Sequence, residues 1–244
     1  METELNKLRE ILDSSKNMVF FGGAGLSTES GIPDFRSAQG LFRKGQEVSP
    51  EKMVSHTGFV KYPQEFYDFY RSKIVHKDAM PNPAHYALAE LERRGILQMV
   101  VTQNVDGLHQ KAGSKRVIEL HGSIYRNYCM RCEKEFPLET ILETEEIPHC
   151  DECGTMIRPD VVLFGESLRK ANVIYAMRHI AAADTLLIGG TSLVVSPASN
   201  LIDHFKGKNL VIINKDEAAF GGREALCIQA PIGQVLGEVV LGNS

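Results

Sequence analysis

Six short runs of apolar and β-branched residues, alternating with helix-like segments, constrain this chain more than anything else in its sequence. They cover Met18 to Phe21, Met99 to Thr102, Val117 to Leu120, Val161 to Phe164, Thr185 to Ile188 and Leu210 to Ile213. Runs this short and apolar read as strands buried on both faces, which belong to parallel sheets covered by helices. Between them, Pro83 to Arg94, Leu168 to Ala182 and Pro197 to Phe205 read as helices. The fold class is α/β, a doubly wound parallel sheet built with right-handed crossovers. Two stretches break the alternation. Residues 41–80 are aromatic-rich with a helical pattern, and residues 125–157 hold two cysteine pairs. Both read as insertions that pack together as a smaller lobe. The expected division is 1–40, 81–124 and 158–244 for the sheet domain, 41–80 for a helical insertion and 125–157 for a cysteine-bearing module. A cleft between lobes is where ligands of such sheets commonly bind.

Composition removes several function classes. The net charge of −4 arises from 27 basic and 31 acidic residues that are interspersed, without the basic stripe of a phosphate-backbone binder. Direct nucleic-acid binding is not expected. The first fifteen residues carry Leu5, Leu8, Ile11 and Leu12 at helical spacing and lack the apolar core and small-residue cleavage site of a signal peptide. The longest apolar stretch, Ala181 to Gly190, is interrupted by Asp184 and is too short to span a bilayer. A cytoplasmic monomer with no membrane contact is the expectation.

The cysteines are the most specific chemical signal. Cys129-x2-Cys132, then Cys150-x2-Cys153, has the spacing of a four-thiolate tetrahedral zinc site. Four thiolates close the coordination sphere and leave no position for activated water, so zinc here is structural. A redox CxxC is the competing reading, but redox motifs need no second pair. His149 reads as a surface neighbour of Cys150, and Cys227 as a small apolar residue on a late strand.

The ends of the predicted strands carry the remaining chemistry. Gly22-Gly23-Ala24-Gly25-Leu26-Ser27-Thr28 follows the first run and offers backbone N–H groups to a pyrophosphate at a helix start. Thr28 replaces the third glycine of the dinucleotide fingerprint, so a plain tight turn is the alternative. In Ser30-Gly31-Ile32-Pro33-Asp34-Phe35-Arg36, Phe35 is suited to shielding a reactive ring and Arg36 to pairing with phosphate, against a core Phe and a surface Arg. Gln103-Asn104-Val105-Asp106 suits a polar ligand, or a helix cap. His121 before Gly122 is a general-base candidate, or a structural histidine. Thr191, Ser192 and Asn214 sit at two further strand ends and suit ribose or phosphate. Their shared placement on one edge is stronger than any one of them.

Taken in order, Gly23-Ala24-Gly25-x-Ser27, Ser30 to Arg36, Thr102-Gln103-Asn104-Val105-Asp106-x-Leu108-His109, His121-Gly122, the cysteine quartet, Phe164-Gly165-Glu166 and Gly190-Thr191-Ser192-Leu193 resemble the sirtuin family. The resemblance runs from about Leu5 to Val240. It implies a Rossmann-like NAD-binding domain with a zinc-ribbon lobe, and an enzyme that transfers the acetyl group of acetyl-lysine in proteins to ADP-ribose, releasing nicotinamide and O-acetyl-ADP-ribose. By the same resemblance Ala24, Thr28, Arg36, Thr191, Ser192 and Asn214 bind NAD, with Ile232 near the adenine. Phe35, Val105 and Asp106 line the nicotinamide pocket. Gln103 and Asn104 orient the ribose and its water, and His121 is the general base. The peptide lies as an added strand near Gly165 to Ser167 and Leu193 to Val195, with Val162 and Phe164 lining the acyl-lysine tunnel.

Two departures stand out: Gly22 where the family often has Thr, and Val105 where Ile is common. Relatives that remove succinyl or malonyl groups carry a Tyr-x-x-Arg clamp, whereas here Tyr67 is followed by Tyr70, with Arg71 at i+4. Three alternatives therefore accompany deacetylation: removal of acidic or longer acyl groups, mono-ADP-ribosyl transfer onto protein, and an NAD-sensing adaptor without turnover.

Overall fold

The structure is a computed structural model that describes residues 1–35, 40–41, 50–192, 198–215 and 224–242. Among them nine strands form two sheets: β1 (Met18–Gly22), β2 (Leu97–Thr102), β3 (Val117–Glu119), β4 (Gly122–Cys129), β5 (Glu135–Phe136), β6 (Ile157–Val161), β7 (Thr185–Gly189), β8 (Asn209–Asn214) and β9 (Leu226–Gln229). The larger sheet has the order β3-β2-β1-β7-β8-β9 and is parallel throughout. The winding reverses between β1 and β7, which makes their carboxyl ends the switch point of a Rossmann-like sheet.

Alternation along β1 explains the double winding. Met18 and Phe20 enter a core with helices Glu2–Ser14, Pro83–Arg93 and Ile232–Leu236. Val19 and Phe21 enter the opposite core with helix Lys170–Ala182 and the 3₁₀ helix Ala198–His204. A strand covered on both faces has no polar face to show, so its sequence is uniformly apolar. Every residue of β1 and β7 is buried.

The smaller lobe has its own core, in which Phe59, Phe66, Tyr67 and Tyr70 pack with Ile124, Cys129, Ile141, Cys150 and Ile157. Its antiparallel sheet has the order β5-β4-β6. A charged strap joins the lobes: Arg126 on β4 donates to Glu119 on β3 at 2.7 Å and to Asp160 on β6 at 2.9 Å, and Arg169 also pairs with Asp160.

The expected strand Val161 to Phe164 is corrected. The chain instead pairs over Ile157–Val161, antiparallel to β4 in the small sheet, and touches Ser55 through a single bridge at Phe164. The apolar run arises because it passes between two cores: Leu163 belongs to the small-lobe core, while Val162 packs against the large sheet. The late strand bearing Cys227 exists as β9, but Cys227 lies on its exposed face. No helix among the described residues is long and apolar enough to cross a membrane.

Candidate functional site

Residues 24–30 leave β1 as a 3₁₀ turn rather than a regular α-helix, and the turn ends at Gly31 with φ of 82°. Close approach fixes its start. Gly25 N donates to Gly190 O at 2.7 Å, and a Cβ on Gly25 would stand 2.8 Å from that oxygen. A Cβ on Gly190 would stand 2.1 Å from Leu26 N, so both glycines are required by backbone contact.

Ser27, buried in this turn, is a hub that strand-end reasoning on its own does not single out. Its Oγ donates to Asp106 Oδ2 at 2.6 Å and accepts from Asn104 Nδ2 at 3.0 Å. Asp106 Oδ1 accepts from Leu108 N at 3.0 Å across Gly107, which is itself the N-cap of the short helix Leu108–Lys111, so Asp106 stands one residue outside the helix and is not its cap. Each carboxylate oxygen keeps a further lone pair for a ligand. Burial raises the Asp106 pKa, and the Ser27 and Leu108 donors oppose that shift. The signal for Ser27 was its place in Gly-x-Ser, but its partner lies 79 residues on.

A second chain of contacts runs across the switch point. Gln103 Nε2 donates to Thr191 Oγ1 at 3.2 Å. Asn214 brackets the Thr191 backbone, accepting from its N at 3.1 Å and donating to its carbonyl at 2.9 Å. Thr28 Oγ1 donates to Gly25 O at 2.9 Å and lies 3.4 Å from Lys215 Nζ. Ala24 and Phe35 are half-buried near the start and beyond the end of the turn, and Ser192 is exposed. Ile232 is buried beneath Gly189, where its Cδ1 would meet a Cβ at 2.1 Å.

His121 lies between β3 and β4, one residue before Gly122. Its Nδ1 lies 2.8 Å from Gln103 O. A carbonyl only accepts, so Nδ1 carries the proton and Nε2 holds the lone pair. The backbone is fixed as well: His121 O accepts from Val162 N at 2.9 Å, and a Cβ on Gly122, whose φ is 81°, would stand 1.9 Å from Asp160 O. Burial lowers the His121 pKa, and the bond to Gln103 opposes that shift. The arrangement offers a neutral base held by its ring to the Gln103 backbone.

Val105 packs against the small-lobe core, and its carbonyl accepts from Ile124 N at 3.0 Å. Phe164, Gly165 and Ser167 are exposed along the lobe boundary. Glu166 anchors this segment by accepting from Arg158 at 2.6 Å, Leu163 N at 2.9 Å and His56 Nδ1 at 2.9 Å. Arg36, Leu193 and Val195 lie outside the described residues.

The four cysteine sulfurs lie within 4.8 Å of one another, with three pairs at 3.3, 3.6 and 3.7 Å. A tetrahedron with Zn–S bonds near 2.3 Å has edges of about 3.8 Å. The quartet fits a structural zinc ion. His149 points elsewhere, with Nδ1 3.0 Å from Gly154 O.

Arg71 is committed to the small lobe. It donates to the carbonyls of Ile141 at 2.8 Å, Glu145 at 3.1 Å and Glu146. Tyr67 donates its hydroxyl to Ile157 O, and Tyr70 is fully buried.

The sequence profile of the Sir2 family matches residues 23–197. An NAD-dependent protein deacetylase of Clostridium perfringens (strain 13 / Type A) is 52 % identical over 243 residues, covering 98 % of this chain and all of that protein. Among solved structures, Sir2 with a p53 peptide and NAD+ is 38 % identical at a TM-score of 0.86, covering 98 % of both chains. A histidine-to-alanine variant of Sir2 with deacetylated p53 peptide and 3′-O-acetyl-ADP-ribose is 37 % identical at a TM-score of 0.88, covering 98 % of this chain and 97 % of that one.

Proposed function

This chain belongs to the Sir2 family, and from that premise we propose how its strand-end network works as an NAD-dependent protein-lysine deacetylase. The reaction passes the acetyl group of acetyl-lysine to ADP-ribose and releases nicotinamide, so NAD is consumed rather than used as a hydride carrier. The observation that carries the residue assignment is the His121 Nδ1 bond to Gln103 O, which presents Nε2 as a base.

In this reading Ala24, Thr28, Arg36, Thr191, Ser192 and Asn214 bind NAD, with Ile232 below the adenine end. Phe35, Val105 and Asp106 surround nicotinamide, where Asp106 uses its remaining lone pairs to accept from the carboxamide. Gln103 and Asn104 orient the ribose and its water. The acetyl oxygen displaces nicotinamide at the ribose carbon, and His121 Nε2 takes a proton from a ribose hydroxyl whose oxygen then bonds the acetyl carbon. The water is taken up as the carbon–nitrogen bond to lysine breaks and frees the amine. The acetylated peptide joins as a strand along Gly165 to Ser167 and Leu193 to Val195, and the acetyl-lysine passes Val162 and Phe164. Zinc on Cys129, Cys132, Cys150 and Cys153 holds the small lobe together and takes no part in proton transfer.

We take the sheet domain as 1–40, 81–124 and 158–244 and the small lobe as 41–80 and 125–157, except that β4 and β6 pair in the small sheet, so 122–124 and 158–161 go with the small lobe. We propose a cytoplasmic monomer without direct nucleic-acid contact, a reducing compartment being one in which paired CxxC motifs hold metal rather than form disulfides. The commitment of Arg71 to backbone carbonyls favours neutral acyl groups over acidic ones. Substituting His121→Ala tests the base: loss of a general base costs about 10²- to 10⁴-fold in turnover. Retained turnover in a folded variant would refute the assignment.

A further inference from the structure

Asn82 precedes helix Pro83–Arg93, is 4 % exposed, and uses the two ends of its side-chain amide for different tasks. Oδ1 accepts from Ala84 N at 3.0 Å and caps the helix, while the Asn82 backbone N donates to His85 Nδ1 at 3.2 Å. Nδ2 donates to Leu26 O at 2.8 Å and to Ser30 Oγ at 3.0 Å, crossing 56 and 52 residues of sequence. The amide orientation is set by its partners, because a backbone N–H must face oxygen and a carbonyl must face the NH₂ group. Both Nδ2 hydrogens are used.

Leu26 and Ser30 bracket Ser27 and Thr28. The turn is pinned at its start by Gly190, in its middle by Asp106 and Asn104, and near its end by Gly233, whose N donates to Glu29 at 2.8 Å. Asn82 reaches the turn from the N-cap of helix Pro83–Arg93. We propose that Asn82 is a positioning residue for NAD: through Nδ2 it fixes the 26–30 backbone so that Ser27 reaches Asp106 and Thr28 faces the nucleotide. The inference rests on the reading that this turn binds NAD.

The two ends of the amide can be separated by substitution. Asn82→Asp keeps a good helix cap but sets an acceptor against the Leu26 carbonyl. Asn82→Ser keeps a capping oxygen and has no donor long enough to reach both partners. Steady-state kinetics with each substrate varied in turn, alongside thermal unfolding, distinguishes a tether from a structural residue. Losing the two Nδ2 bonds to the turn predicts a KM for NAD raised about tenfold, equivalent to about 1.4 kcal/mol. The KM for acetyl-lysine peptide stays near the wild-type value, and both variants unfold cooperatively. An unchanged KM for NAD in a folded variant overturns the proposal, as does equal weakening of both substrates or loss of folding in both variants. A wild-type enzyme that consumes no NAD would instead refute the reading beneath it.

Discussion

His121 turns Nδ1 toward the carbonyl oxygen of Gln103, 2.8 Å away, and this one contact fixes both the tautomer and the direction of the ring. Burial holds the imidazole below its ordinary pKa of 6.5, so the neutral base predominates at neutral pH. The kcat/KM, which reports the free enzyme, is predicted to be flat at neutral pH and to fall as acid protonates Nε2, with a midpoint below 6.5. A pH–rate profile checks this. Activity that rises on acidification would make His121 a proton donor.

Arg71 supplies a prediction about acyl choice. Its guanidinium is held by the carbonyls of Ile141, Glu145 and Glu146. Arg71→Ala should therefore cost about 1–3 kcal/mol of stability and leave the ratio of acetyl- to succinyl-lysine turnover unchanged. A panel of acyl peptides with wild type and variant measures both. Succinyl turnover that matches acetyl turnover, and vanishes in the variant, would show that Arg71 reaches the substrate.

Zinc removal should be read first in the small lobe. Cys129 and Cys150 are buried in the same core as Phe66, Tyr67 and Tyr70. The chain has no Trp, and Tyr62, Tyr67, Tyr70, Tyr125 and Tyr128 lie in or beside that lobe, so near-UV circular dichroism reports on it. Chelation is expected to remove this signal before the far-UV signal of the sheet domain declines. Metal analysis that finds no zinc in the purified protein would count against the site.

A buried histidine pair predicts acid lability. His85 and His109 pack edge to face at 5.0 Å, and His85 Nε2 and both His109 ring nitrogens lack hydrogen-bond partners among the described residues. Burial pushes His85 down to about 4 and His109 well below 6.5. Below 6.5 the unfolded chain takes up protons that the folded chain resists, so stability drops as pH falls toward about 4. Denaturant midpoints across this range should fall less steeply for His109→Leu than for wild type. Parallel slopes would show that the pair is not responsible.

Local signals were legible where the chemistry is local. Both CxxC pairs sit within short turns, and each polar strand end follows its own strand, so Gln103, His121, Thr191 and Asn214 could be found without knowing the fold. Their union was not, because the sheet order that brings β3, β2, β1, β7 and β8 side by side is set by crossovers. Ser27 and Asn82 were harder still: each looks like an ordinary turn or cap residue until partners 50 to 80 residues away are in place. The Val161 to Phe164 run misled because burial between two cores produces the same apolar pattern as burial within a sheet. Strand β4 was hidden for the opposite reason, since Arg126 serves the lobe boundary and Asn127 turns its amide onto the Ile124 and Phe136 carbonyls within the small lobe, where the register with β6 shifts.

The central claim is that the strand-end network consumes NAD to move an acetyl group. Its most direct measurement is mass spectrometry of the products formed from NAD and an acetyl-lysine peptide. Deacetylated peptide, nicotinamide and acetyl-ADP-ribose in equal amounts are predicted. ADP-ribose attached to peptide or protein, with the acetyl group still on lysine, would contradict it.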